Sequence, residues 1–405
     1  MGKGGFMFVL VINAGSSSLK YQVFDKDTHE VVCKGLCERV GLGESFHKYD
    51  REDHEKLITI TLDDHHDAVK NVLETLLEPQ DGIMSDLDEI AAVGHRVVHG
   101  GEYFSESVII DDEVVARIAE CVPLAPLHNP PALMGIEACR AQIPAAIQVA
   151  VFDTAFLQTL PPKAYMYPLP YEMYEEHKVR KYGFHGTSHR YVAQRTAEYL
   201  GRPLEELKLV TCHLGNGCSL TAIDKGRAID NTMGFTPLDG LMMGTRCGSI
   251  DPAIVIFMIT KLGMTAEEAE NTMNRKSGLL GISGLTNDLR DVRDAAEAGN
   301  ERAILAYEVY AHYIKCYIGQ CVFEMGGVDA IAFAGGVGEN DPTTRRMVFE
   351  GLEPLGMVID QEKNKLRGSE RTISQDDSKV KILVIPTNEE LMIVHDVNRI
   401  LAEQE

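Results

Sequence analysis

The sequence predicts an α/β fold made of two duplicated domains, and three observations carry that expectation. Apolar segments of strand length alternate with segments of helical periodicity along the chain. Each half opens alike, with an apolar strand, a turn of small residues and a second strand: 9–13 then 21–25 in the first, 207–214 then 219–224 in the second. Finally, 405 residues at about 150 per domain allow two or three domains, and the repeated opening selects two.

The remaining elements follow in order. Strands are expected at 31–35 and 57–62, so the chain begins mostly antiparallel. Val69, Val72, Leu73, Leu76 and Leu77 are spaced as one helical face over 66–77, and a strand over 90–98 follows. Asn129 ahead of Pro130 and Pro131 reads as the cap of a helix running to about Gln142. The strand 147–152 ends at Asp153, which puts a carboxylate where open α/β sheets bind ligands. In the second half, helices start from Asp251 and Thr265, and a long one spans about 300–325. A strand at 330–334, another at 380–385 and a helix over 389–402 close the chain.

Composition narrows the function. Hydrophobic residues at 44% and charged residues at 25% are ordinary for a globular protein and give no basis for global disorder. A net charge of −22 disfavours nucleic acid and anionic membranes. A small anionic substrate then requires Arg, Lys and His to be gathered locally. Nine cysteines without a C-x-x-C spacing suggest reduced thiols in a cytoplasm, not a disulfide framework or a zinc ribbon. The opening run Phe6 to Ile12 behind Lys3 is read as a buried first strand, not as the core of a leader peptide. No apolar run reaches the roughly 18 residues of a membrane span.

Three turns carry candidate phosphate chemistry. Asn13-Ala14-Gly15-Ser16-Ser17-Ser18-Leu19-Lys20 offers backbone N–H groups, hydroxyls and a cation, but lacks the G-x-x-x-x-G-K-[ST] spacing of a P-loop. His213-Leu214-Gly215-Asn216-Gly217-Cys218-Ser219, taken alone, reads first as an Asn-Gly hairpin. Ala334-Gly335-Gly336-Val337-Gly338-Glu339-Asn340 stands between a strand and a helix start, where a nucleotide can approach the backbone. The three together outweigh the hairpin reading. Arg96 and Arg246 lie in glycine-flanked turns, and their planar forks suit phosphate or carboxylate. The cluster Asp63, Asp64, His65, His66 and Asp67 looks like metal ligands but is better read as a solvated helix start.

These residues closely resemble the acetate kinase family, a branch of the acetate and sugar kinase, Hsp70 and actin superfamily. The resemblance runs through VLVINAGSSSLKY, GHRVVHGGE, PLAPLHNPPAL, VAVFDTAF, YGFHGTSH, HLGNGCSL, MGFTPLDGLMMGTRCGSIDP, FAGGVGEN and IPTNEEL. It implies two duplicated actin-like ATPase domains with an active-site cleft between them. The first would span 1–153 with the final helix 389–405 returning to it, and the second 154–388. The implied reaction is magnesium-dependent phosphoryl transfer between ATP and acetate, with manganese able to substitute, ADP and acetyl phosphate as products, and a homodimeric enzyme. Propionate kinase is the nearest alternative; a non-catalytic nucleotide-binding protein of the same fold is a more distant one.

The resemblance also assigns roles. Asn13 and Glu389 would serve the metal, and Ser16, Ser18 and Lys20 would face the phosphates. His213, Leu214, Gly215, Asn216 and Gly217, with Asp288, Leu289 and Arg290 and with Gly336, Val337, Gly338, Glu339 and Asn340, would bind the nucleotide. Arg96 would hold the acid, supported by His128, while Val98, Leu127, Phe184 and Pro237 would line a methyl pocket. His185 and Arg246 would stabilise the transition state. Asp153 would be the active-site carboxylate, orienting Arg246 or metal-bound groups and not acting as a general base, because a carboxylate substrate is already ionised.

Overall fold

A computed structural model describes residues 7–52 and 54–404. It divides into two compact units, Met1–Gln158 with Asn388–Glu405, and Thr159–Thr387. Lys3 and Phe6 lie outside the described residues; Met7 is exposed, and Phe8 to Ile12 of the opening run are buried strand.

The first unit is built on an eight-stranded sheet. Its strands are β1 (Phe8–Gly15), β2 (Ser18–Asp25), β3 (Val31–Glu38), β4 (Glu44–Arg51), β5 (His54–Thr61), β6 (Ile90–Val97), β7 (Val108–Ile109) and β8 (Ile147–Phe152). Their order is β5-β4-β3-β2-β1-β6-β8-β7. Strands β1 to β5 form an antiparallel meander, β1, β6 and β8 run parallel, and β7 closes the edge antiparallel to β8. In the second unit β9 (Lys208–Leu214), β10 (Cys218–Asp224), β11 (Arg227–Asn231), β12 (Ala330–Ala334), β13 (Arg371–Thr372) and β14 (Lys381–Val384) are ordered β11-β10-β9-β12-β14-β13. Here too a meander leads into three parallel strands, β9, β12 and β14, and an antiparallel edge. The second sheet therefore repeats the first without β4 and β5, which is the duplication expected from the sequence.

Strand β1 shows why its sequence is apolar throughout. Phe8, Leu10 and Ile12 pack into a core with Val69, Val72 and Leu76 of the helix His65–Leu76, and with Ala138 and Cys139 of the helix Asn129–Gln142. Val9 and Val11 face the opposite way, onto Ile393, Val394 and Val397 of the helix Glu389–Gln404. A strand buried on both faces has no polar side to alternate with.

Several start signals act as expected. Asp64 caps the first helix by accepting from the Asp67 N–H at 3.0 Å, and Thr265 forms a capping box with Glu268. Asn129 does not cap its helix. His128 occupies the cap position without a side-chain hydrogen bond, because Pro130 and Pro131 remove the N–H groups that a cap would serve. Asn129 is fully buried and instead accepts from the His99 N–H at 3.2 Å and donates to the His99 carbonyl at 2.9 Å, tying the end of β6 to this helix.

The sequence reading missed β4 and β11, and the two-residue edge strands β7 and β13. The inward residues of β4 are Ser45, His47 and Tyr49, so its alternation is polar on both sides. His47 Nε2 lies 2.9 Å from the Tyr21 hydroxyl, and Tyr49 donates to the Asp81 carbonyl.

Gly94 lets the C-terminal helix rest on β6, since a Cβ there would lie 2.4 Å from Ile393 Cγ2 and 3.1 Å from Val397 Cγ2. Gly94→Ala is expected to lower stability by about 1–3 kcal/mol through overpacking. Gly319, exposed in the helix Glu301–Met325 with open space around it, gives the opposite sign. Gly319→Ala should stabilise by about 0.4–1 kcal/mol. Urea midpoints of the two variants against the parent protein check both.

Candidate active site

In the first unit, Arg96 on β6 and Asp153 just beyond β8 come from neighbouring parallel strands, and the Asp153 N–H donates to the Val97 carbonyl at 3.0 Å. Arg96 donates from Nε to Asp153 Oδ1 at 3.1 Å and from Nη2 to Oδ2 at 2.7 Å. The partner of Asp153 within this unit is thus Arg96, a pairing that the sequence reading did not make; that reading had offered Arg246. The sequence shows two strands that end in opposite charges, but their adjacency is set only by the sheet order. Glu389, the first residue of the C-terminal helix, brings Oε2 to 3.9 Å from Arg96 Nη2. Burial opposes the charge on Arg96, but Asp153 and Glu389 outweigh it and hold the guanidinium protonated beyond its ordinary range. Burial raises the Glu389 carboxyl above the usual carboxylate value; Arg96 opposes this, while Asp153 and Glu390 add to it.

The segment Asn13 to Lys20 forms the β1–β2 hairpin, with Gly15 opposite Ser18 and Ser16 and Ser17 at its tip. Ser16 and Lys20 are exposed, Asn13 and Ser18 half-buried, and Lys20 Nζ lies 3.8 Å from Glu390 Oε1. His128 sits at the helix cap position, Val98 follows β6 and Leu127 is exposed.

Among the described residues no group of three or more His, Cys, Asp or Glu side chains is arranged to hold a metal. Magnesium needs less, because it keeps several waters and takes one or two carboxylates together with substrate phosphates. Glu389 fits that need: its carboxylate is crowded by Asp153 and Glu390, and a divalent cation would relieve the repulsion.

In the second unit, His185 precedes the helix Gly186–Leu200 in the left-handed region, with φ at 59°. That backbone is strained for a non-glycine residue and is most often found at functional sites. Its ring lies against that of His213 near the end of β9, centroids 4.2 Å apart and tilted by 30°, and its Nδ1 lies 2.8 Å from Ser219 Oγ on β10. His213 is itself tied through Nδ1 to Ser188 Oγ at 2.8 Å, and that hydroxyl lies 2.7 Å from Thr387 Oγ1. The sequence reading named neither Ser219, Ser188 nor Thr387 for this site; buried hydroxyls carry no spacing signal.

Arg246 is brought to the same place. A Cβ on Gly217 would meet His185 Nε2 at 3.5 Å and Arg246 Nη1 at 3.6 Å, so the missing side chain leaves a space faced by both. Arg246 Nη1 donates to the Pro237 carbonyl at 3.3 Å, and no carboxylate among the described residues pairs with it. Burial lowers its pKa, the signature of a cation without a counter-charge. Phe184 is buried and Pro237 half-buried beside these residues in sequence.

The glycine turns assemble around this point. The Gly244 N–H donates to the Asn216 carbonyl at 3.3 Å, and a Cβ on Gly244 would lie 2.3 Å from Asn216 Oδ1. Gly335 has φ at 77°, and its Cβ would lie 2.7 Å from the Leu214 carbonyl, so the turn after β12 rests on the end of β9. This turn is itself a short helix, Gly335–Asn340, with Glu339 Oε1 accepting from the Gly335 N–H at 2.8 Å and the Thr387 N–H at 3.2 Å. Asp288 caps the helix Leu289–Glu297; the Arg290 guanidinium that pairs with it pulls its carboxyl down to about 2.

Comparison with known proteins gives one consistent result. The acetokinase family matches over residues 8–395. Acetate kinase of Caldanaerobacter subterraneus subsp. tengcongensis is 55% identical over 397 residues, covering 98% of this chain and 99% of that protein. The crystal structure of Porphyromonas gingivalis acetate kinase superposes with a TM-score of 0.95 at 46% identity, covering 98% of this chain and 100% of that one. A propionate kinase from Francisella tularensis subsp. tularensis gives 0.90 at 40% identity, over 96% and 98%. On this extent of matching, the chain belongs to the acetokinase family.

Proposed function

We propose that this chain catalyses the acetate kinase reaction, reversible in-line transfer of the γ-phosphoryl group of ATP to acetate, giving acetyl phosphate and ADP. The observation that carries the reading is Arg246, a half-buried guanidinium with no carboxylate partner among the described residues, beside His185 and an open space over Gly217. In a chain of net charge −22, such a cation is available to an anion. Charge on a transferring phosphoryl group spreads over its equatorial oxygens, which is what a preorganised guanidinium and an imidazole N–H stabilise.

Arg96 has a different task. Asp153 takes Nε and one Nη2 hydrogen, which leaves the Nη1 edge for the acetate carboxylate. Asp153, engaged in that pair, orients Arg96 and does not act as a base; none is needed for an ionised nucleophile. Glu389 and Asn13 would hold magnesium or manganese, which supplies positive charge to the nucleotide phosphates. Ser16, Ser18, Lys20 and the segments 213–217, 288–290 and 336–340 serve ATP and ADP. Acetate stands ahead of propionate because curated acetate kinases share 52–55% identity with this chain over nearly its full length and the propionate kinase 40%. Nine unpaired cysteines support a cytoplasmic location.

Trapping acyl phosphate with hydroxylamine, using ATP, magnesium and formate, acetate, propionate or butyrate in turn, tests the reaction. Acetate should be preferred, EDTA should abolish turnover, and Val98→Ala should shift the acetate-to-propionate ratio of kcat/KM toward propionate by about tenfold. Activity surviving complete chelation would remove the metal role of Glu389 and Asn13, and equal rates on acetate and propionate would withdraw the acetate preference.

Arg246→Ala and His185→Ala should each lower kcat by about a hundred- to a thousandfold. Their double variant should lose less than the product of the two, since both act on one transition state. Gly217→Ala meets only ordinary contacts in the protein itself, so it should fold with unchanged stability yet lose activity by blocking the space before Arg246. Near-normal kcat in Arg246→Ala would sink the assignment.

The chain also works as a homodimer on this reading. The helix Pro252–Thr260 is apolar on every side, leaving Ile254, Ile256, Phe257 and Ile259 exposed, and such a surface is characteristic of an interface. Sedimentation should show dimers for the parent protein and monomers for Phe257→Asp; a monomeric parent protein would reject the homodimer.

A further inference from the structure

We propose that Thr211, His189 and Ser219 form a buried hydrogen-bond chain that fixes the proton of His185 on Nε2, so that this ring meets the phosphoryl group as a neutral, single N–H donor. They are positioning residues acting through His185, and the inference rests on the kinase reading above.

His185 caps the helix Gly186–Leu200, and His189 stands four residues on in its first turn. Ser219 Oγ stands between the two rings, 2.8 Å from His185 Nδ1 and 2.7 Å from His189 Nε2. The other nitrogen of His189, Nδ1, lies 2.8 Å from Thr211 Oγ1 on β9. His189, Ser219 and Thr211 are all buried. Burial, reinforced by His213, holds the His189 pKa well below its ordinary value, so this ring is neutral and carries one proton.

Two arrangements are then open, and counting donors separates them. If His189 carried its proton on Nδ1, it would donate to Thr211. The Thr211 hydroxyl proton would then be buried with no acceptor among the described residues, which folded proteins avoid. If the proton is on Nε2, every donor is used. Thr211 donates to His189 Nδ1, His189 Nε2 donates to Ser219, and Ser219 donates to His185 Nδ1. The last step makes Nδ1 of His185 an acceptor and puts its proton on Nε2, the atom that faces the space over Gly217 and Arg246. The same chain opposes the doubly protonated ring, because an N–H on Nδ1 would meet the Ser219 hydroxyl proton. His185 therefore adds a hydrogen bond beside Arg246 without placing a second cation against it.

The test uses the full chain with 15N-labelled histidine and long-range proton–nitrogen correlation at neutral pH, the His185 signals being assigned by their loss in His185→Ala. The expected spectrum has an unprotonated Nδ1 and a protonated Nε2 on His185. Ser219→Ala should give mixed tautomers at His185 and lower kcat by about tenfold, with KM for acetate and ATP within about twofold. Ser219→Thr, which keeps the hydroxyl, should restore both. Thr211→Val offers a second variant at the far end of the chain should Ser219→Ala not fold, and it should move the nitrogen signals of both histidines. A protonated Nδ1 on His185 in the parent protein, or a Ser219→Ala protein with unchanged tautomer and kcat, overturns the chain. If the parent protein makes no acyl phosphate, the kinase reading fails while the spectrum still decides the tautomer. If it turns over but carries its proton on Nδ1, only the relay fails.

Discussion

A guanidinium can be kept for an anionic ligand in a chain of net charge −22 only if the backbone around it keeps the chain's own carboxylates away. The second unit does this for Arg246 by surrounding it with turns that carry almost no acid. The hairpin after β9, the Gly244–Gly248 loop and the turn after β12 touch one another through glycines, at distances that a Cβ would make impossible. What the Arg246 guanidinium meets is the Pro237 carbonyl and the Met243 sulfur, and His185 faces the same space over Gly217. The cation stays half-buried and without a counter-charge, which is what the anion-binding role proposed for it requires.

Arg96 meets the same constraint in the opposite way. It is locked by a fork-to-carboxylate pair with Asp153, whose side chain is buried, and it keeps only one edge open. A pair of this kind fixes orientation more than it adds stability, because desolvating both partners offsets most of their attraction. The geometry suits a group that must present donors in one direction to a small carboxylate. It also means that removing Arg96 orphans Asp153, so its Ala variant would report the loss of a buried pair as well as of the substrate contact proposed for it.

Both treatments depend on the repeated sheet. In each unit the parallel strands end on one edge, β1, β6 and β8 in the first, and β9, β12 and β14 in the second. Arg96, Asp153, His213 and the Gly335 turn all lie at those carboxyl ends. Polar and charged residues gather there because a strand interior buried on both faces has no room for them, whereas its last residue meets the loops and helix starts.

Much of this was written into the chain. The apolar runs of β1, β6, β8, β9 and β12 have no polar face and were legible as buried strands, as were Asp64, Asp251 and Thr265 as helix starts. These signals are local, because hydrophobic period and capping chemistry act over a few residues. The motifs around Arg96, Asp153, His185 and Arg246 were legible for the same reason: each is a short segment whose glycines and charged residue are contiguous. Only the tertiary structure decided which charge meets which. It joined Arg96 to Asp153 across 57 positions, turned Asn129 from a cap into a clamp on His99, filled β4 with inward polar residues, and set Ser219 between two histidines. Hydrogen-bond partners far apart in sequence are chosen by burial, where every donor must find an acceptor, and that condition exists only once the chain has folded.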